Sequence, residues 1–269
     1  MPQDEIPDEI DTRTASSARS YDYMLGGTDN YAVDRMAVDH LEEMFPGAKA
    51  LARNNRRFME RVVRFLAADC GIRQFIDNGS GLPTQNNVHQ IAQGIDKRSK
   101  VVYIDNDPVV LRHQKVNALA GNENTAFILA DARNVGEILN RPEITRLIDF
   151  REPAAALYMT FLHFIPDEDD PWDMVRAMMN RLAPGSYLAI SHTASDDLGV
   201  REYVSGFLRE ALGGRFGRIR RKQEVRAFFD GLELVEPGLV NITSWRPDSE
   251  AEAQTNAGIE FGGLARKTG

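Results

Sequence analysis

The segment Gln74-Phe-Ile-Asp-Asn-Gly-Ser-Gly81 and its downstream counterpart Val101-Val-Tyr-Ile-Asp-Asn-Asp-Pro108 read as two strand ends that together hold a nucleoside. Each run is apolar and rich in Phe, Ile, Val and Tyr, as a strand buried on both faces requires, and each stops abruptly at an acid. The acids therefore stand at the carboxyl edge of a parallel sheet, where the crevice of an open α/β fold opens and helix N-termini converge. In Asn78-Gly79-Ser80-Gly81 the chain must turn sharply from strand to helix. Glycine permits that turn and lets the backbone approach a ligand with no Cβ in the way. Thr84 stands where it can cap the helix that follows.

Outward from this pair, short apolar strands alternate with helical segments, the pattern of a parallel sheet covered on both faces. Strands are expected at 74–77, 100–105, 125–130, 154–159 and 186–191, with helices near 85–94, 108–120, 134–140, 171–183, 199–212 and 222–230. Two further strand-like runs, 232–242 and 259–265, close the chain as an antiparallel hairpin. The fold class is therefore α/β, a doubly wound, mostly parallel seven-stranded sheet with an N-terminal helical cap and a C-terminal hairpin. Ser16 or Ser17 caps a first helix over 18–25, which Gly26-Gly27 ends through positive-φ geometry. Helices over 30–44 and 48–68 follow, separated by Phe45-Pro46-Gly47. The expected organisation is a frayed or disordered acidic tail at 1–15, a helical cap at 16–70 and a sheet domain at 71–269.

The 269 residues are 42% hydrophobic, ample for a substantial core. A formal charge of −8 argues against a nucleic-acid partner, because phosphate-backbone affinity rests on clustered Lys and Arg. No apolar run approaches the roughly 18 residues a membrane span needs, and the N-terminus lacks a secretory pattern, so a cytoplasmic location with no membrane partner is expected. Cys70 is the only cysteine, which excludes an intrachain disulfide and a cysteine metal cage. Arg53, Arg57, Arg61 and Arg64 fall opposite Leu51, Phe58, Val62 and Phe65 on one helix and read as a solvated face. A second cluster, Arg215, Arg218, Arg220, Arg221 and Lys222, also reads as structural rather than as a binding patch.

Three acids end three successive strands. Asp105 stands where a carboxylate can accept both ribose hydroxyls. Asp131, closing Phe127-Ile-Leu-Ala-Asp-Ala132, can accept from the adenine amino group. Capping is the competing reading for each, and for Asp107 it is the preferred one, as the helix opens at Pro108. Capping alone does not account for all three acids beside a glycine turn.

These residues resemble the class I S-adenosylmethionine-dependent methyltransferases over roughly 74–267. Asp77, Gly79 and Gly81 match that family's glycine motif, Asp105 its ribose acid and Asp131-Ala132 its adenine-contact motif. Ser80, Asn106 and Thr160 adjoin these motifs and join the candidate cofactor contacts. Pro83 departs from the pattern, standing where many members carry a further glycine. A narrower resemblance, to actinobacterial S-adenosyl methyltransferases of mostly unassigned substrate, rests on Ala18-Arg-Ser-Tyr-Asp-Tyr-Met-Leu-Gly-Gly-Thr-Asp-Asn30, Arg53-Asn-Asn-Arg56 and Phe261-Gly-Gly-Leu-Ala-Arg266. It implies S-adenosyl-L-methionine as cofactor, and a cap that places Tyr21 and Arg56 at its methionine end, Arg56 pairing with the carboxylate; packing between cap and sheet is the alternative for both.

A sulfonium methyl is already activated, so the protein mainly aligns a nucleophile with it and excludes water. A base is needed only where the acceptor holds a proton that must leave. His163, in Met159-Thr-Phe-Leu-His-Phe164, is the first candidate for a base or substrate contact, and His192, at the end of the fifth strand, the second; a purely structural histidine is the alternative for each. No His and carboxylate spacing suggests a metal site. The expected activity is methyl transfer to an oxygen or nitrogen of a small-molecule acceptor. The alternative is a sensor or scaffold that holds the cofactor without transferring its methyl. A nicotinamide oxidoreductase fits less well, since Gly81-Leu-Pro-Thr84 lacks the final glycine of the dinucleotide fingerprint. The number of subunits is left open.

Overall fold

The computed structural model describes residues 11–83, 86–113, 122–255 and 258–269. Parts of four expectations fall outside them: residues 1–10 of the tail, the Thr84 cap, the start of the helix at 85–94 and the end of the helix at 108–120.

Five parallel strands form the centre of the sheet: β1 (Gln74–Asn78), β2 (Lys100–Asp105), β3 (Thr125–Leu129), β4 (Ala155–Met159) and β5 (Tyr187–Thr193). The spatial order is β3-β2-β1-β4-β5-β8-β6, where β8 (Glu260–Arg266) runs antiparallel to β5 and to β6 (Glu233–Leu234). β7 (Val240–Asn241) pairs antiparallel with β8 as well. The expectation of seven strands is thus corrected to eight. Pro237, which has no N–H to donate, and Gly238 at φ +86° interrupt the ladder, so one expected edge strand becomes two short ones.

Successive side chains on each strand go to opposite faces, and each face has its own apolar layer. On one, Phe75, Val101, Tyr103, Leu157 and Ala189 pack against α3 (Ala48–Ala68) and α4 (Val88–Ile95). On the other, Ile76, Val102, Ile128, Tyr158 and Ile190 meet α6 (Val135–Ile138), α7 (Pro142–Leu147) and α8 (Pro171–Arg181). α5 (Pro108–His113) opens after β2, and Asp107 accepts the Val109 N–H at 2.9 Å, the capping role expected of it. α4 takes its cap from Asn87, which forms a capping box with Gln90.

α3 is more than a cap. Phe58, Val62 and Leu66 are fully buried in the layer against the sheet. The solvated-face reading of its arginines fails at Arg61, which is buried and donates to the carbonyls of Trp245 (2.9 Å) and Ile242 (2.6 Å) and to Glu252. Arg53, Arg57 and Arg64 are exposed as expected. Glu252 belongs to α11 (Glu250–Ala253), which, like α7, the sequence reading did not anticipate.

The remaining helices form a roof. α1 (Ser17–Met24) is capped by Ser16, whose Oγ accepts the Arg19 N–H, and Gly26 at φ +83° follows its end. Asp34 at the start of α2 (Ala32–Met44) locks the two together, accepting from Ser16 N (2.9 Å), Arg19 Nε (2.8 Å) and Tyr31 N (2.8 Å). α9 (Leu198–Ala211) joins α2 through an apolar cluster in which Val204, Leu212 and Phe216 meet Val33, Ala37 and Phe45. Ala15, expected in the tail, is already buried in that cluster. α10 (Lys222–Arg226) and a 3-10 turn at Ala227–Phe229 lead into β6. No helix among the described residues is long and apolar enough to cross a membrane.

Candidate active site

The parallel strands all point their carboxyl ends at one cavity of about 1470 Å³ beneath α1, α2 and α9. Twelve of the thirteen residues singled out in the sequence line it. After β1 come Asp77, Gly79, Ser80 and Gly81; after β2, Asp105 and Asn106; after β3, Asp131 and Ala132; after β4, Thr160 and His163. Tyr21 and Arg56 reach the same wall from α1 and α3. His192 does not.

The glycine turn is held against β2, Gly79 N and Ser80 N both donating to the Ile104 carbonyl at 2.8 and 3.2 Å. Gly79 and Gly81 take φ of +72° and +65°, a region that favours glycine. The two have different neighbours. Among the described residues a Cβ on Gly81 would meet nothing within 4 Å, whereas one on Gly79 would fall 2.1 Å from the Phe161 ring. Gly81 thus leaves its side of the turn open, whereas Gly79 is required by an aromatic ring from the loop after β4.

Asp105 accepts from Gly81 N (2.8 Å) and Asp107 N (2.9 Å), which fixes its carboxylate at the cavity edge. Burial pushes its pKa up to about 6 despite these bonds. Asp77 is buried and pushed up to about 7, chiefly by desolvation; the nearby Arg56 charge opposes that shift and Asp105 adds to it. Asp131 is instead held below the ordinary carboxylate range by Arg133, which pairs with it and with Asp169. Arg56 also donates to Asn87 Oδ1 at 3.1 Å.

A polar chain that sequence reasoning missed runs along the opposite half of the cavity. The Tyr21 hydroxyl accepts from Asn55 Nδ2 at 2.9 Å, and Asn55 Oδ1 accepts from the Ser191 hydroxyl. Ser191 Oγ receives the Thr160 N–H at 2.9 Å, and Thr160 itself sits at φ +53°. The Thr160 hydroxyl donates to Glu260 at 3.3 Å, and the Thr193 hydroxyl does so at 2.7 Å. Glu260 opens β8 opposite Thr193 at the end of β5; because β8 is antiparallel, its first residue lies at the same edge as the strand ends. Only 2% of it is exposed, and burial pushes its pKa up to about 7.

The two histidines sit differently. His163 lines the cavity beside Phe216 and Phe164, but burial, with the Arg220 charge, lowers its pKa to about 3. A ring held that low accepts a proton poorly at neutral pH, which is unsuited to a base. His192 is fully buried inside β5, its Nδ1 2.6 Å from the Thr193 carbonyl and its Nε2 3.2 Å from Arg220. Burial, then His163 and Arg220, hold it well below its ordinary value. Its place behind the wall corrects the expectation of a base at the strand end. Arg220, also fully buried, ties this region together by donating to Leu162 O, Ile165 O and Asp167. Among the described residues no group of three or more His, Cys, Asp or Glu could hold a metal ion.

The donor set suits an adenosyl group carrying a charged amino-acid tail: a fixed carboxylate at β2, another acid at β3, an open glycine turn between strand and helix, and Arg56 beside it. Ser80 Oγ, buried in that turn with no partner among the described residues, is a further group a ligand could satisfy. A sheet of this order, with its antiparallel last strands and its site at the carboxyl edge, defines a Rossmann-like methyltransferase. The chain belongs to the S-adenosyl methyltransferase family, whose model matches residues 3–268. Two solved structures superpose with a TM-score of 0.90 at 39% identity: a proposed methyltransferase from Thermobifida fusca YX, covering 96% of this chain and 97% of that one, and a DUF574-family protein from Streptomyces avermitilis MA-4680, covering 96% and 100%. An O-methyltransferase family protein from Burkholderia thailandensis shares the fold at 13% identity and a TM-score of 0.52, over 83% of this chain and 61% of that one. Comparison with curated proteins returned no match. The protein is thus an S-adenosylmethionine-dependent methyltransferase, with S-adenosylmethionine as its cofactor.

Proposed function

We propose that the enzyme methylates a nitrogen or oxygen of a small-molecule acceptor bound between the sheet edge and the helical roof. The observation that carries this reading is the cavity of about 1470 Å³, which runs from the acids of β2 and β3 to the apolar sides of α2 and α9. It exceeds the roughly 300–1,000 Å³ typical of a single-ligand pocket, leaving room for a second molecule beside the cofactor. The net charge of −8 opposes a nucleic-acid acceptor.

S-adenosylmethionine supplies a methyl on a sulfonium whose leaving group is a neutral thioether. The chain's residues bind and align. Asp105 accepts from the ribose hydroxyls, Asp131 and Ala132 border the adenine, and Gly81 gives the backbone a close approach with Ser80 and Asn106 beside it. Arg56 faces the carboxylate of the methionine tail, with Tyr21 and Asp77 near its amino end. Thr160 marks where the methyl meets the acceptor, and the roof excludes water.

Titration calorimetry with S-adenosylmethionine tests the frame. Binding near micromolar Kd is expected. Asp105→Ala should weaken it by roughly 10- to 100-fold, the loss of charge-assisted bonds of about 1.5–3 kcal/mol. Unchanged affinity would refute the ribose assignment. Label from methyl-tritiated cofactor should appear in small molecules of a cell extract; recovery in nucleic acid instead would overturn the acceptor class.

A further inference from the structure

The sheet order fixes a direction along the cavity. If the adenine lies at β3 and the ribose at β2, the cofactor extends across β1, and its methyl comes to the end of β4. The acceptor then lies beyond, at β5 and β8. Glu260 stands there.

Glu260 is buried, lines the cavity and accepts from two neutral hydroxyls, those of Thr160 and Thr193. Among the described residues no Lys or Arg forms an ion pair with it. Buried carboxylates are ordinarily matched by a cation or by several donors, so this one is built to be completed by a ligand. Next to it, Ile259 lines the same cavity and joins the apolar cluster of the roof. Beyond Ile259 the wall carries Leu41, Met44 and Phe45 on the α2 side and Val200, Val204 and Phe207 on α9, while Arg209 and Arg215, which also line the cavity there, donate to backbone carbonyls. An acid at the sheet edge and these apolar side chains behind it match a molecule with a positively charged head and a hydrophobic body.

We propose that the acceptor is a hydrophobic amine, bound as its ammonium ion against Glu260, and that Glu260 takes the proton that must leave before methyl transfer. This rests on the proposed function. In the step itself an ammonium N–H bond breaks and its proton passes to a Glu260 carboxylate oxygen. The freed nitrogen lone pair forms the new N–C bond to the methyl while the C–S bond breaks, its electron pair remaining on sulfur. Nitrogen carries the positive charge away on the product, and Glu260 returns its proton to water. The threonine hydroxyls hold the carboxylate in place throughout.

Among the described groups that face Glu260 none titrates between pH 5.5 and 8; Asp77 and Asp105, which do, lie in the cofactor half, so S-adenosylhomocysteine is kept saturating at each pH. Thr160 and Thr193 do not titrate, and Tyr21 on α1 stays neutral because burial raises its pKa. Lys222 lies over Phe261, the next residue on β8, whose side chain goes to the opposite face of the strand. Asp77 and Arg56 face the cofactor half.

The test is calorimetry with n-octylamine, octan-1-ol and octanoate on the full chain saturated with S-adenosylhomocysteine. At pH 8 the wild type should bind n-octylamine about 10- to 100-fold more tightly than octan-1-ol, as a charge-assisted bond to a carboxylate provides, and octanoate least. Glu260→Gln should abolish the amine preference while leaving S-adenosylmethionine and S-adenosylhomocysteine affinities unchanged. In the wild type alone the preference should shrink as pH falls from 8 to 5.5, because Glu260 becomes neutral while the alkylammonium stays charged; this arm stands if the variant fails to fold. No amine preference in the wild type, or one that survives Glu260→Gln, overturns the proposal. So does a selective loss of S-adenosylmethionine over S-adenosylhomocysteine in the variant, which would assign Glu260 to the sulfonium. Failure to bind either cofactor form would instead refute the cofactor site.

Discussion

Asp77, Asp105 and Glu260 share one property: each is a carboxyl whose folded-state pKa is raised, mainly by burial. Folding therefore favours their protonated forms. Their contribution to stability is fully present below about pH 4 and is lost as pH rises through about 6 to 7. Asp77→Asn removes the charge without changing the shape, so it should raise Tm at pH 8 and have little effect at pH 4, about 2–4 °C for each kcal/mol recovered. Thermal melts at the two pH values check this, and a variant less stable at pH 8 would contradict it. The residues legible in the sequence were those whose position follows from local pattern: an acid ending an apolar run beside glycine. His192 was misplaced because the strand was expected to stop at 191. β5 continues to Thr193, and alternation turns Thr193 toward the cavity and His192 away from it. Glu260 was illegible because its role depends on pairing with Thr193, 67 residues earlier, which no local pattern encodes.

At the scale of elements, the loop after β4 and the turn after β1 form one unit through Phe161 and Gly79. Gly79→Ala should destabilise by more than the roughly 1–2 kcal/mol that a left-handed backbone costs a non-glycine residue, because the new methyl meets the ring. Adding Phe161→Ala removes the collision and leaves the backbone cost, so the double variant should be more stable than the sum of the two single losses predicts. Urea denaturation of the four proteins measures the difference, and additivity within about 0.5 kcal/mol would show that the two loops do not touch. Most strands and the long helices could be read from periodicity, but the shortest helices and the burial of one arginine could not. α7 and α11 are too short to show a period. Arg61 was grouped with exposed arginines four residues apart, yet at about 100° per residue it has drifted to roughly 40° from Phe65, near enough to the apolar face to be buried beside Trp245.

For the whole molecule, the roof is the part that a bound ligand has most reason to reorganise. α2 and Ala15, just before α1, meet α9 through a small apolar cluster that is separate from the two large layers on the sheet, while α1 itself joins one of those layers through Ala18. S-adenosylhomocysteine at 100 times its Kd should stabilise the fold by about 2.7 kcal/mol, raising Tm by roughly 5–10 °C. Amide exchange should slow in α1, where Tyr21 lines the cavity, as well as in the β1 turn. Protection confined to the turn would mean that the roof takes no part in holding the cofactor. The sheet also has a temporal side. β8 is the last strand in chain order, yet it lies inside the sheet between β5 and β6 and carries Glu260 at its start. A nascent chain leaving the ribosome therefore releases Asp105 and Asp131 well before Glu260, so on the proposed mechanism a polypeptide that stops short of β8 lacks the proton acceptor even if it has already captured the methyl donor.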